Sequence, residues 1–433
     1  AVGSESLKLN TTGHSNTAVG DESLKANTTG DTNTAIGNDA LAANTTADAN
    51  TAVGHQALVA NTTGTENNAV GANSLDANTT GSYNNAFGNN ALGSNTTGNY
   101  NVAVGRNALT ANTTANSNTA LGYSTLWANQ TGGQNTAVGY NALNANTVSD
   151  NTAVGFKALQ TNTTGTSNTG IGNSALTTNT TGGNNTAVGH QALTGNTTGV
   201  ENTAVGSQAL ISCTTAQRNT AVGYYAMQAH TTGQYNSGIG AYALGKNITG
   251  RENSAHGYSV LWNNTAGSFN TGCGGRALYN NTVSHNTALG YEALFSNTTG
   301  DKNVGVGNSA LYSNTTGTSN TAVGFESLKL NTASNNTACG YKALTSNTTG
   351  NNNVAVGLNA LSQNTTAASN IAVGYAALYT NTTGNYNIAI GQEALEGNTT
   401  SEYSVAIGHK ALELSNGTRN TAIGGYNSSL TTT

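Results

Sequence analysis

Seven histidines, three cysteines and 18 Asp+Glu are the side chains of this 433-residue chain that could do chemistry. Metal binding or general acid–base catalysis needs several of them to converge on one point. They are spread instead through an internal repeat of 17 residues. His55, His190 and His409 share one repeat position but lie eight and thirteen repeats apart, too far to build one site in one chain. His256 takes the place of an apolar residue and reads as a buried, hydrogen-bonded histidine. Cys273 and Cys339 stand four repeats apart, about 19 Å at strand spacing, whereas a disulfide needs Cα atoms within about 7 Å. With Cys213 they read as small core hydrophobes. The acids are scattered, and no Gly-Gly-x-Gly-x-Asp calcium pattern occurs. Gly272-Cys273-Gly274-Gly275 lacks the strand–loop–helix setting of a phosphate loop. The expectation is a chain that is not an enzyme and holds neither metal nor cofactor.

Composition points the same way. Only 7% of residues are charged, the formal net charge is -5, there are 55 Gly and there is no Pro. No basic field exists to neutralise phosphates, which argues against a nucleic-acid partner. No apolar run approaches the roughly 20 residues that span a bilayer, so this segment is not expected to insert in a membrane.

The repeat reads N-T-A-V-G-x-x-A-L-x-x-N-T-T-G-x-x, and its positions are numbered here as slots one to seventeen. The slot-five glycine falls at 26 places from Gly3 to Gly424; 21 of the intervals are 17 residues and four are 16. Slot nine is Leu in every full repeat but one, where it is Met227, and slot one is Asn in all but one, where it is Ser404. Slot three never exceeds Ala and is Gly at Gly170, Gly238, Gly272 and Gly305. Three of the short repeats lose a residue between slots twelve and seventeen, which marks Asn-Thr-Thr-Gly as a turn, because deletions are tolerated in surface loops.

A unit this short cannot bury a face alone and suits one coil of a solenoid. The expected fold is all-β: a parallel β-solenoid, or β-roll, of about 25 coils of 17 residues. Each coil would carry two short strands, one at Asn-Thr-Ala-Val and one centred on Ala-Leu. The array would run over 1–424, with an off-pattern tail over 425–433. At about 4.8 Å per coil this makes a rod of roughly 120 Å. Alternation along a strand puts slots two and four on one face and slot three on the other. The apolar slot four was assigned inward, giving an expected core of Val19, Leu24, Val53, Leu58, Val104, Leu109, Met227, Ile407 and Leu412. The small slot three, at Ala18, Ala35, Ala52, Gly170, Gly238 and Gly272, then reads as an interface sealed by another turn or another chain. Asn16, Asn33 and Asn50 at slot one, and Asn27, Asn44 and Asn61 at slot twelve, can form amide ladders along the axis or local Asx turns. Asn-Thr-Thr is also a glycosylation sequon, usable only where that Asn is not laddered inward.

Aromatics cluster at two slots: Tyr123, Tyr140, Tyr291, Tyr341 and Tyr375 at slot six, Trp127 and Trp262 at slot ten. They read as a lateral packing stripe or as a platform for a glycan or surface ligand.

Ser404-Val405-Ala406-Ile407-Gly408 resembles the S-V-A-I-G motif of trimeric autotransporter adhesin heads (YadA-like), and Asn387-Ile388-Ala389-Ile390-Gly391 is a near match. The longer N-T-A-V-G…A-L…N-T-T-G form also resembles repeat shafts of phage and bacterial tail-fibre-like proteins. The resemblance implies a parallel β-roll, a homotrimer about one axis and an extracellular fibre or adhesin on a cell or virion surface. Here the repeat is longer than in those heads, and slot two is usually Thr. Residue 1 lies in mid-repeat, which reads either as a window of a longer protein or as a subunit that assembles end to end into filaments. An ice-binding solenoid is the alternative, with Thr ranks at slots two, thirteen and fourteen; slots thirteen and fourteen are adjacent and would point opposite ways on a strand.

Overall fold

The computed structural model describes residues 1–425; Gly425 apart, the expected tail over 425–433 lies outside them. The chain is an all-β parallel solenoid with no helix among the described residues. It divides into two compact units, Ala1–Arg218 and the part from Asn219 onward. The first holds twelve strands, β1 (Thr17–Val19) to β12 (Thr203–Val205), and the second holds β13 (Thr220–Val222) to β25 (Thr421–Ile423). Every strand is three residues long, and within each unit each strand but the last pairs in parallel with the one that follows it one coil later.

Register is kept slot for slot. Thr17 pairs with Thr34, Ala18 with Ala35 and Val19 with Ile36. A 16-residue coil does not disturb it: Thr136 pairs with Thr152 and Val138 with Val154. The missing residue is absorbed in the slot-twelve turn, where Asn146 Nδ2 donates to the carbonyl of Val148; the neighbouring 17-residue coil spans the same turn from Asn129 to Gly132.

Each coil carries one strand where two were expected. The Ala-Leu arm is a run of turns in which slots seven and nine are left-handed: Glu22 has φ 54° and Leu24 φ 50°, and slot seventeen follows at Thr32 with φ 58°. A left-handed L-residue costs about 1–2 kcal/mol, and burying a Leu contributes about 1.5–3 kcal/mol. Leu24 is fully buried, so its burial offsets the strain. The inter-coil bonding persists without a regular strand, since Leu24 N–H donates to Ala40 O and Ala26 N–H to Ala42 O.

The strand faces are the reverse of the expectation. Slot three points inward: Ala18, Ala35 and Ala52 are fully buried beside Leu24, Leu58, Leu109, Met227 and Leu412. Slots two and four point outward. Val19 is 40% and Ile407 36% exposed, and Val53 and Val104 are half-buried. Of the expected core, the slot-nine residues are interior and the slot-four residues are not. His256 and Cys273 and Cys339, also at slot four, are exposed; Cys213 alone is buried.

The size limit at slot three comes from inside the coil, not from another chain. The slot-nine side chain of the preceding coil lies directly against it. A Cβ on Gly170 would sit 3.3 Å from Leu159, and one on Gly238 would sit 3.0 Å from Met227 Cε. Gly272 accommodates Val260, the one Val at slot eight: a Cβ there would fall 2.5 Å from its Cγ1. A coil of 17 residues has room for one Leu and small partners only. Slot five needs glycine for a similar reason. Gly54 has φ 141°, and a Cβ on it would meet Gly71 O at 2.5 Å.

Candidate functional site

Two buried asparagine columns hold the coils in register. At slot twelve, Asn27 Nδ2 donates to Asn10 Oδ1 (2.8 Å) and to Gly30 O (3.0 Å). Asn44 and Asn61 repeat the pattern one and two coils on. At slot one, Asn16 Oδ1 accepts the backbone N–H of Asn33 (2.9 Å), and Asn33 Oδ1 that of Asn50 (3.0 Å). Both Nδ2 hydrogens at slot twelve are used, so a sequon Asn there has none left to lose to a glycan. The ladder is interrupted after Asn129, Asn196 and Asn264, whose Oδ1 atoms have no partner: the first and third precede turns shortened by one residue, the second precedes a changed residue, Cys213 in place of Asn. Burial pushes the Cys213 thiol up to about 12. His230 also stands at slot twelve. Its Nδ1 accepts from Asn247 Nδ2 (3.1 Å) and its Nε2 lies 2.8 Å from Gly233 O. Burial holds its pKa below the ordinary histidine value. Slot-thirteen threonines are laddered too: Thr28 Oγ1 donates to Thr45 O (3.0 Å), so that rank does not offer free hydroxyls to water.

Two surfaces remain for a partner. The first is the outward strand face. Along β21 (Val354–Val356), β22 (Ile371–Val373), β23 (Ile388–Ile390) and β24 (Val405–Ile407) both outward positions are branched and apolar. Ile371 is 37% and Ile390 40% exposed. This is a continuous apolar patch of the kind that marks an interaction surface.

The second is the aromatic edge. Tyr123, Tyr140, Tyr291, Tyr341, Tyr375 and Trp127 are exposed, while Trp262 is half-buried. Columns of one slot stack ring on ring: Tyr123 on Tyr140 and Tyr140 on Phe156, each at 5.4 Å. The sequence reading missed two further columns. Tyr83–Tyr100 and Tyr386–Tyr403 stack at slot seventeen, both at 5.0 Å, and Tyr225–Tyr242 stack at slot seven. The signal was present as tyrosines exactly one repeat apart, and slots marked as variable concealed it.

Among the described residues one acidic cluster has metal-binding proximity: the carboxylates of Glu393, Glu396 and Glu413 lie within 4.8 Å of one another. A cation of the chain already occupies it: Lys410 Nζ lies 2.9 Å from Glu393 and 2.8 Å from Glu413. That contact lowers the Glu393 pKa, while burial first and Glu393 second raise that of Glu396. Among the described residues no helix is long and apolar enough to cross a membrane. No protein-family model and no curated protein matches this sequence.

Proposed function

We propose that this solenoid is a structural module of an extracellular fibre or adhesin, on a cell or virion surface, and that its outward strand face associates with further copies of the chain. One observation carries the reading: the four successive coils of β21 to β24 present only Val and Ile outward. Solvent-facing strand positions normally alternate to polar residues, and an apolar sheet face is covered in the working assembly. The likeness of Ser404–Gly408 to adhesin-head repeats supports a homotrimer; end-to-end filaments are the other arrangement. Sedimentation equilibrium tests it. The protein should self-associate, and Ile371→Asp with Ile390→Asp should return it to a folded monomer with an unchanged circular dichroism spectrum. A wild-type chain that stays monomeric at high micromolar concentration refutes the reading.

The ice-binding alternative keeps one supporting feature, the outward slot-two threonines in register from Thr119 to Thr203. It requires thermal hysteresis at micromolar protein, and no hysteresis ends it.

A further inference from the structure

The aromatic edge changes character in one place. Elsewhere successive rings lie nearly parallel and cover one another, as Tyr279, Phe295 and Tyr312 do at 5.2 Å with planes within 15°. Tyr242 stacks on Tyr225 but stands at right angles to its other aromatic neighbours. The Tyr242 ring meets Tyr258 at 86° (6.2 Å) and Trp262 at 85° (5.3 Å). With Ser259 and Tyr279 these residues line a cleft of about 340 Å³.

Small residues in adjacent coils create the cleft. Gly245 lies under the indole, where a Cβ would fall 2.1 Å from the ring of Trp262. Tyr258 is flanked in its own column by Ala241 and Gly275, neither of which carries a ring, and it is 58% exposed. Its faces are therefore free of the stacking that consumes the other columns.

The chemistry of the lining selects the occupant. An aromatic corner would suit a quaternary ammonium, but two cations of the chain already face these rings. Lys246 Nζ lies 5.6 Å from the Trp262 centroid, and the Arg276 guanidinium lies 5.4 Å from that of Tyr279. A cationic ligand would be repelled. What remains is a ligand with an apolar C–H face to lie on the rings and hydroxyls at its rim. The phenols of Tyr242, Tyr258 and Tyr279 can bond those hydroxyls. The volume falls in the range of a small-ligand pocket.

We propose that this cleft binds one pyranose unit of a glycan, with Trp262 and Tyr279 as its stacking walls. The cleft lies on slots six, seven and ten, away from the strand face, so the proposal goes beyond the self-assembly reading and does not rest on it. Isothermal titration with cellopentaose, chitopentaose and a galacturonate pentamer tests it on the full chain. At least one should bind saturably, and Trp262→Ala or Tyr279→Ala should weaken it at least tenfold. Trp127→Ala, on a distant coil, should not. Lys246→Ala should weaken only the galacturonate arm. Tyr258→Ala removes an exposed ring and keeps the test valid if Trp262→Ala fails to fold. Absence of saturable binding by all three sugars overturns the proposal, as does binding that survives the wall substitutions.

Discussion

Asn78 is where the ladder can be tested most cleanly. Its Nδ2 donates to Asn61 Oδ1 (2.8 Å) and to Gly81 O (2.9 Å), and its Oδ1 accepts from Asn95 Nδ2 (2.8 Å). All three asparagines are fully buried. Asn78→Ala removes these bonds at once. Gly81 O keeps a second donor in Asn67 Nδ2 (2.9 Å), so two groups are orphaned: Asn61 Oδ1 and one hydrogen of Asn95 Nδ2. An unsatisfied buried polar group costs about 1–3 kcal/mol, giving about 2–6 kcal/mol together. In a stacked array this loss is felt mainly by the affected coil and its neighbours. Hydrogen exchange read by mass spectrometry should therefore speed up at least about 30-fold, the equivalent of 2 kcal/mol, in the coils carrying Asn61, Asn78 and Asn95. Coils five or more repeats away should be unchanged. Thr80→Ala, an exposed slot-fourteen change in the same coil, is the control. If Asn78→Ala exchanges no faster than that control, the ladder does not hold the coils and the reasoning fails.

Gly54→Ala combines φ 141° with a 2.5 Å clash on Gly71 O; it should cost more than about 2 kcal/mol in thermal unfolding. Gly275→Ala, whose Cβ meets only Tyr291 at 3.4 Å, should change stability by less than about 0.5 kcal/mol. His230 is neutral in the ladder, since Nδ1 accepts a bond and Nε2 is left to donate one. Its folded pKa lies below the unfolded value of 6.5, so its contribution is complete above pH 6.5 and is lost as pH falls from there through the folded pKa. Unfolding midpoints should drop over that interval, and His230→Asn should flatten the drop; the other six histidines are exposed. Expression in a glycosylating secretory host should leave slot-twelve asparagines such as Asn61 and Asn78 unmodified, and glycopeptide mapping checks this.

The repeat and its register were legible because they rest on period alone: slot-five glycine and slot-nine leucine recur with a spacing that only stacking explains. The facing of the strand was not. Val at slot four outweighs Ala at slot three in hydrophobicity, and hydrophobicity alone places Val53 inside and Ala52 outside. The coil is too narrow for that, because Leu already fills the space opposite slot three, as Leu159 does beneath Gly170. The second strand was misread for a related reason. Leu24 is an unfavourable left-handed residue, and nothing in its type signals the φ of 50° that burial imposes. The aromatic cleft was only half visible. Trp262 stood out at slot ten, whereas Tyr242 and Ser259 sit at the variable slot seven.

The inward alanine and the outward branched residue are the centre of this account, and one pair of variants separates them. Ala35 is fully buried, and Ile36 beside it is 41% exposed. Thermal unfolding of Ala35→Leu and Ile36→Glu should rank the alanine variant as the far less stable, because overpacking a full interior costs about 1–3 kcal/mol or more while an outward glutamate meets solvent. Should Ile36→Glu unfold the coil and Ala35→Leu leave it intact, the interior has been placed on the wrong face of the strand.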